Sequence, residues 1–283
     1  MKVISLINMK GGVAKTTMAV NICHCLSTRE NKKVLLIDVD PQFNATQCVF
    51  KSADFFDYLE KGGDTILNLF EDETSVVAGT VNGIHDKKAK ELKDVTPFKI
   101  NDNWYVLPGN LNLYQLEMAS GAGKEYGIKQ YIEEIQPAYD FDYVIIDTPP
   151  TPSVWMMSAL IASDYYLIPV KPDPLSYIGI DLLDSIVKSR KKRFNLKIKC
   201  IGIIFTMVEK NTLVYAGAMN YIQNTKKSEL KFKKDLTKHT VIARGITEQK
   251  YILDCAGDDS KLELTMIVKE LINRIEEYEK KGN

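Results

Sequence analysis

The chain has 283 residues, 45% of them hydrophobic, which is enough to bury the core of one large α/β domain. Its 37 basic and 37 acidic side chains cancel, which excludes a general attraction to nucleic acid or membrane, so any such binding needs a local patch. The five cysteines are scattered and odd in number, which excludes a disulfide framework and is typical of a reducing compartment. With no signal-peptide pattern and no apolar run of the roughly 20 residues that span a membrane, we expect a soluble, cytoplasmic protein.

Short apolar runs rich in β-branched residues alternate along the chain with longer helical patterns, which is typical of a parallel sheet covered by helices. The predicted strands are Lys2–Ile7, Val34–Ile37, Trp104–Leu107, Tyr143–Ile146, Tyr165–Val170 and Lys199–Phe205. The predicted helices include Thr16–Ser27, Leu111–Ser120, Ile128–Ile135, Ser153–Ala162 and Ile178–Arg193. We therefore predict an α/β fold with a single doubly wound, mostly parallel sheet and helices on both faces, in one domain spanning residues 1–283.

Two further segments have patterns of their own. Residues 50–103 are polar and dotted with glycine, and we interpret them as a mostly helical excursion with a mobile loop near residues 79–96. Near the C-terminal end, Ser260 and Glu263 fit a capping box, and apolar residues recur three or four apart from Leu264 to Tyr278. This periodicity predicts a last helix that packs back on the domain.

The segment that follows the first strand has the composition of a phosphate-binding loop. Met9-Lys-Gly-Gly-Val-Ala-Lys-Thr-Thr17 leads directly into a helical pattern, and a loop in that position presents backbone N–H groups and a helix N-terminus to phosphates. Met9 and Ala14 stand where the standard pattern has glycine. We predict an Mg-ATP site formed by Lys10, Gly11, Gly12, Val13, Ala14, Lys15, Thr16 and Thr17, in which Lys15 reaches the β- and γ-phosphates and Thr16 ligates Mg²⁺.

Acidic side chains end two of the predicted strands. Val34-Leu-Leu-Ile-Asp-Val-Asp-Pro-Gln42 ends with Asp38 and Asp40, and Tyr143-Val-Ile-Ile-Asp147 ends with Asp147. Ligands of open α/β sheets bind at the carboxyl ends of the strands. Asp147 has the position of a Walker B carboxylate, which faces Mg²⁺ directly or through water. The sequence therefore predicts that these carboxylates and the loop form one site.

A second lysine in the loop, Lys10, makes the segment Lys10-Gly-Gly-Val-Ala-Lys-Thr-Thr17 resemble the signature of the ParA/MinD family of deviant Walker A P-loop ATPases. The resemblance implies that Asp40 positions the attacking water and that Asp38 supports the Mg²⁺ shell. It also implies that Lys10 crosses an ATP-bound sandwich dimer and contacts the partner's nucleotide. The candidate catalytic residues are then Lys10, Lys15 and Asp40, and the candidate metal set is Thr16, Asp38 and Asp147.

The resemblance covers nearly the whole chain and extends to the base. The segment Cys200-Ile-Gly-Ile-Ile-Phe-Thr-Met207 resembles the strand whose end approaches adenine in the family. On this resemblance Thr206 and Met207 are candidate adenine contacts. A strand end with a packing methionine is the alternative.

Several functions are served within this family, and other motifs distinguish them. The scattered cysteines do not supply the cluster ligands of nitrogenase-type iron proteins, and the acidic C-terminal pattern fits anionic lipid poorly. Asp38-Val-Asp-Pro-Gln-Phe-Asn44 matches the partition members, which favours a short, Soj-like ParA-type ATPase that associates with the nucleoid. The resemblance then implies ATP-dependent homodimerisation, non-specific DNA binding, weak ATPase activity and stimulation by a ParB-like centromere-binding protein. A MinD-like membrane-positioning ATPase and a P-loop metabolic enzyme such as a ligase or kinase are the alternatives.

Two basic stretches give the neutral chain a local positive charge. The first runs from Lys188 to Lys199 with seven cations and no acid, and the second, Lys226–Lys238, has six lysines and two acids. Such clusters fit sequence-independent contacts with DNA phosphates, although solvated helix ends and loops are the plainer interpretation. The candidate DNA-binding residues are Lys188, Arg190, Lys191, Lys192, Arg193, Lys226 and Lys227.

Overall fold

The computed structural model describes residues 1–70, 90–118, 123–173 and 176–282. Within these ranges the chain forms one eight-stranded sheet in the order β3-β4-β2-β5-β1-β6-β7-β8. The strands are β1 (Lys2–Leu6), β2 (Val34–Asp38), β3 (Phe98–Asn101), β4 (Trp104–Leu107), β5 (Tyr143–Asp147), β6 (Tyr165–Val170), β7 (Lys199–Val208) and β8 (Leu236–Thr237). Every neighbouring pair is parallel except β3 and β4. This confirms the predicted fold class.

Helices cover both faces of the sheet. They are α1 (Lys15–Thr28), α2 (Asn44–Val49), α3 (Ser52–Glu60), α4 (Leu113–Met118), α5 (Gly127–Tyr139), α6 (Val154–Ala162), α7 (Ser176–Phe194), α8 (Leu213–Gln223), α9 (Thr240–Thr247), α10 (Ile252–Cys255) and α11 (Asp258–Gly282). Alternate strand residues face opposite sides, so Ile4 and Leu6 of β1 join the core under α1 and α11, whereas Val3 joins the core under α5 and α6. The sheet is thus buried on both faces, as its continuous apolar strands require.

The register of the three central strands positions the candidate site. Asp147 at the end of β5 pairs with Leu6 of β1 on one side and with Asp38 of β2 on the other. Because these strands are parallel, the loop after β1 and both carboxylates lie at the same carboxyl edge of the sheet. Three motifs that are far apart in sequence are therefore neighbours in the fold.

The described part of the excursion contains a strand as well as helical turns. It contains α3 and two short 3₁₀ turns, but also β3, which pairs antiparallel with β4 and forms one edge of the sheet. Phe98 and Ile100 alternate toward the core, and this packing holds the strand in place. Residues 79–89 of the predicted mobile loop lie outside the described residues. At its described end, Asp64 accepts hydrogen bonds from Lys90 Nζ at 2.7 Å and from Thr96 N at 2.9 Å.

The last helix packs as predicted but begins differently. Four of its apolar residues are buried against the sheet and α1, namely Leu264, Val268, Leu271 and Ile275. The predicted capping box is wrong, because α11 begins at Asp258 and Ser260 lies within its first turn. Glu263 instead accepts hydrogen bonds from Thr237 N at 2.9 Å and Thr237 Oγ1 at 2.7 Å, so it joins α11 to β8. No helix in the described ranges combines the length and the apolar character that crossing a membrane requires.

Candidate functional site

The loop between β1 and α1 offers open backbone at the carboxyl edge of the sheet. Gly11 and Gly12 are exposed, and a Cβ atom on either would meet no atom within 4 Å. α1 begins immediately afterwards at Lys15. Open backbone beside a helix N-terminus is the arrangement that binds phosphate, because the unpaired N–H groups and the helix dipole both favour an anion.

The backbone of Ala14 explains why glycine is the expected residue there. Ala14 is the N-cap of α1 and has φ 60° and ψ 33°, in the left-handed region. A Cβ atom in that region crowds the following carbonyl oxygen and costs roughly 1–2 kcal/mol. The chain therefore keeps the geometry of a phosphate loop at the expense of strain at one residue.

The loop is fastened to the neighbouring strands at both ends. Asn8 Nδ2 donates to Pro169 O at 2.7 Å, and Asn8 Oδ1 accepts from Lys10 N at 2.9 Å. On the other side, Thr206 Oγ1 donates to Val13 O at 2.9 Å. These bonds fix the course of the loop before any ligand binds, which is the preorganisation that a binding site requires.

Thr206 is fully buried under the loop, where its side chain supports Val13. The predicted contact of Thr206 with adenine stays a prediction. Met207, the next residue, has φ 52° at the irregular pairing of β7 with β8 and is half-buried. Its role as an adenine contact stays a prediction.

The first turn of α1 and the end of β5 are in direct contact. Thr16 Oγ1 donates to Asp147 Oδ2 at 2.7 Å. The second carboxylate oxygen, Asp147 Oδ1, is buried and has no hydrogen-bond partner among the described residues. Burial raises the pKa of Asp147 to about 7, against the opposing effect of the Thr16 hydrogen bond. A buried carboxylate with an unpartnered oxygen beside a threonine hydroxyl fits a hydrated Mg²⁺ ion.

Lys15 and Asp40 belong to the same cluster of charges. Both side chains are buried. Burial lowers the pKa of Lys15, whereas the negative charges of Asp147 and Asp40 raise it. Asp40 Oδ1 accepts from Gln42 N at 2.9 Å, which fixes the carboxylate at the start of its loop. The cluster has one lysine between two carboxylates and so can accept the additional charge of a phosphate and a divalent cation.

Both carboxylate oxygens of Asp38 accept hydrogen bonds from neighbouring residues of the chain. Its Oδ2 atom accepts from Thr46 N and from Thr46 Oγ1, both at 2.8 Å, and its Oδ1 atom accepts from Asp40 N at 3.3 Å. Gly109 N in turn donates to Thr46 Oγ1 at 2.7 Å. Asp38 is fully buried, and burial raises its pKa well above the usual range. Through these bonds Asp38 supports the Asp40 loop and α2, and its predicted place in the metal set stays a prediction.

The distinguishing lysine of the loop contacts its own chain in this structure. Lys10 Nζ forms an ion pair with Asp173, which follows β6 at the same edge of the sheet. The predicted contact of Lys10 with a partner's nucleotide would require this pair to open.

The fold separates the predicted DNA-binding residues into exposed and engaged ones. Lys188 pairs with Asp184 one helical turn away but stays 74% exposed. Lys227 pairs with Asp181 of α7 and is only 19% exposed, so it joins α7 to the turn after α8 and is a poor phosphate contact. The other residues are exposed or half-buried on α7 and after α8, namely Arg190, Lys191, Lys192, Arg193 and Lys226.

Three side chains of the site were not predicted from sequence. Asn8 fixes the phosphate loop, and Asp173 fixes Lys10. Thr46 fixes Asp38 and through it the Asp40 loop. Asn8 and Asp173 carry a recognisable signal, since each is a polar residue just beyond the carboxyl end of a buried strand. Thr46 carries none, because it lies on a helix that the predicted elements omit.

No group of three or more His, Cys, Asp or Glu side chains capable of holding a metal ion occurs in the described part of the chain. Mg²⁺ keeps several waters and takes only one or two protein ligands together with substrate phosphates.

Comparisons with known proteins agree with this geometry. A family model described as an AAA domain matches residues 1–200. An uncharacterised protein of Methanocaldococcus jannaschii is 33% identical over 76% of this chain and 76% of its own length. The sporulation initiation inhibitor protein Soj of Bacillus subtilis is 29% identical over 87% of this chain and 85% of its own.

A solved structure extends the likeness to the whole fold. The crystal structure of a plasmid partition protein from Borrelia burgdorferi superposes with a TM-score of 0.69. The match has 23% sequence identity and covers 96% of this chain and 98% of that one. At this identity the comparison establishes the fold alone.

Proposed function

Because this chain belongs to the ParA/MinD family of deviant Walker A P-loop ATPases, we propose that it is a ParA-type partition ATPase. ATP drives its homodimerisation and its non-specific binding to DNA, and a ParB-like centromere-binding protein stimulates hydrolysis and release. The observation that carries the proposal is the Thr16–Asp147 pair beneath a loop that contains both Lys10 and Lys15. The relative named Soj supports the biological role.

The residues of the site divide the work of binding Mg-ATP. Open backbone at Gly11 and Gly12 and the N-terminus of α1 hold the phosphates, and Lys15 neutralises their charge. Thr16 and Asp147 would hold Mg²⁺, and the bound ion would supply positive charge that neutralises the phosphates. Because Asp147 is buried with one oxygen unpartnered, ion binding would stabilise its charged form.

Hydrolysis depends on the position of one water and on the charge around it. Asp40 is fixed by Gln42 N and lies near Lys15, so it can orient a water toward the terminal phosphate. Phosphoryl transfer depends mainly on positioning and charge neutralisation, so an incomplete set of positive charges gives slow turnover. Lys10 of the second subunit completes the set, and we expect weak Mg²⁺-dependent activity that rises when the dimer forms.

DNA binding is assigned to the exposed cations of α7 and to Lys226. The five α7 cations (Lys188, Arg190, Lys191, Lys192 and Arg193) lie within two helical turns. Side chains so close in a neutral chain produce a local positive field that phosphates recognise without reading base sequence. Lys227 is left out because of its pair with Asp181.

Fluorescence anisotropy of a labelled non-specific duplex at low salt tests the proposal with ATP, with ADP and without nucleotide. Analytical ultracentrifugation under the same conditions reports dimerisation. We expect wild type to dimerise and bind DNA with ATP only, and we expect Lys15→Gln, the matched control, to do neither. Lys10→Ala should bind ATP but fail to dimerise.

The alternative functions give different results in the same experiment. ATP-bound protein that ignores DNA but binds anionic vesicles would overturn the proposal in favour of membrane positioning. Protein that binds ATP and neither DNA nor vesicles would favour a metabolic enzyme.

A further inference from the structure

The six lysines of the second basic stretch do not act together. Three of them form ion pairs within the domain: Lys227 with Asp181, Lys231 with Asp235 and Lys238 with Glu209. The other three, Lys226, Lys233 and Lys234, make no ion pair with any described residue. The fold thus divides the stretch into lysines that stabilise the domain and lysines that face outward.

The three outward lysines line one wall of a groove of about 730 Å³. The opposite wall is one face of α11, which contributes Lys269 and Lys281. The groove lies at the β8 edge of the sheet, because the segment that forms its first wall leads into β8. Sequence analysis could not detect it, since its two walls are about 40 residues apart in the chain.

The walls are held together by a rigid floor. Arg274 of α11 donates to Ile201 O at 3.0 Å, Leu230 O at 3.1 Å and Lys231 O at 2.8 Å. Its guanidinium also lies 4.4 Å from the centre of the Phe232 ring. A Cβ atom at Gly202 would lie 2.7 Å from Leu230 O, so only glycine lets the 230–232 segment come this close to β7. The groove is therefore preorganised by the fold.

The charge of the groove is strongly positive. Its lining has six cationic side chains and three acidic ones. One of the acids, Glu270, is already paired with Arg274 at 2.7 Å and accepts from Lys233 N at 2.9 Å. Five lysines thus face two carboxylates, Glu229 and Glu277, in a chain whose net charge is zero. A concave surface of one sign concentrates ions of the opposite sign.

We propose that this groove binds the phosphate backbone of DNA, with Lys233, Lys234 and Lys269 as its central contacts. The inference rests on the proposed function and adds to it a surface separate from the α7 cations. Lys269 and Lys281 lie about 18 Å apart along α11 at 1.5 Å per residue. One DNA strand rises 3.4 Å per nucleotide, so the groove spans about five nucleotides. Contacts of this kind are independent of base sequence.

The test combines three substitutions, Lys233→Gln, Lys234→Gln and Lys269→Gln, in the full-length protein with ATP. Each phosphate contact contributes about 0.9 to the slope of log K against log salt, so we expect the slope to fall by about 2–3. DNA affinity near 0.1 M salt should fall by at least about tenfold. The variant should keep wild-type ATPase activity and thermal unfolding, because these lysines are outside the nucleotide site and make no ion pair among the described residues.

The matched control removes the same charge at the opposite edge of the sheet, with Lys51→Gln, Lys61→Gln and Lys99→Gln in the α3–β3 region. We expect it to keep wild-type affinity and slope. If both triple variants bind DNA with the same affinity, whether equal to that of wild type or lower, the proposal that the groove binds DNA is overturned. This holds even if wild type binds DNA. Failure of ATP-bound wild type to bind DNA would overturn the proposed function and the groove together. The proposed groove would also be overturned if the Lys233, Lys234 and Lys269 triple variant lost binding to anionic vesicles but kept its affinity for DNA.

Discussion

Removing the Thr206 hydroxyl tests whether this residue supports the phosphate loop. Thr206→Val keeps the β-branched shape of the buried side chain but removes the donor to Val13 O at 2.9 Å. An orphaned buried carbonyl costs about 1–3 kcal/mol, and we expect the free energy of unfolding in urea to fall by that amount. If the same free energy is lost from the phosphate-binding conformation of the loop, the affinity for phosphates falls by about 5–150-fold.

Calorimetric titration with Mg-ATP, Mg-GTP and Mg-tripolyphosphate separates loop support from base contact. Because Val13 belongs to the loop, Thr206→Val should weaken all three ligands by the same factor. Thr206→Ser is the matched control, since it keeps the hydroxyl and loses only a methyl group, and it should bind all three ligands nearly as wild type. If Thr206→Val bound ATP more weakly but bound tripolyphosphate as wild type does, loop support by Thr206 would be refuted. Thr206 would then be favoured as a base contact.

Two further predictions concern strain and pH. Ala14→Gly relieves roughly 1–2 kcal/mol of left-handed strain but costs about 0.4–1 kcal/mol through the larger entropy of the unfolded chain. Urea unfolding should therefore show an added stability of up to about 1.6 kcal/mol. Ala53→Gly, in the exposed right-handed helix α3, should instead lower the free energy of unfolding by about 1 kcal/mol. An equal decrease in both variants would contradict the inferred strain at Ala14. The pKa of Asp147, about 7 in the fold against an ordinary 3.8, means that the folded state holds a proton that the unfolded state has lost, so stability of the nucleotide-free protein falls as pH rises from about 4 to 7. Asp147→Asn should make the stability nearly independent of pH, stabilise the protein at pH 8 by roughly 1–4 kcal/mol and weaken Mg-ATP binding. Urea denaturation at several pH values measures this, and a pH dependence equal to that of wild type would contradict it.

Much of the site could be predicted because its signals are local. The phosphate loop is one continuous segment, and its chemistry follows from residue types at fixed spacing between a strand and a helix. The pairing of Thr16 with Asp147 followed from two strand ends, because parallel strands bring their carboxyl ends to one edge. Local pattern also predicted β4 and β6 with the bounds that the structure has. Two short strands were missed. β8 has only two residues, and β3 has four residues, two of them polar, before its turn into β4.

The structure gives two of the candidate site residues partners that the sequence did not predict. Asp38 has the right position for a metal ligand, yet Thr46 of α2 takes its carboxylate. Lys227 belongs to a basic stretch, yet Asp181 of α7 holds it. Residue type and spacing state which partners a side chain can accept, but they do not state which partner the folded chain brings closest.

By itself the sequence determined the family, the sheet of parallel strands and the segment that we propose binds phosphate. The alternation of strands and helices and the spacing of residues in a phosphate loop are properties of residues close together in the chain. Only the tertiary structure decided that Thr206 supports the loop, that Lys10 pairs with Asp173 and that α11 closes a basic groove. Each of these joins segments from different parts of the chain. Burial and distance between such segments arise only when the sheet and helices pack together.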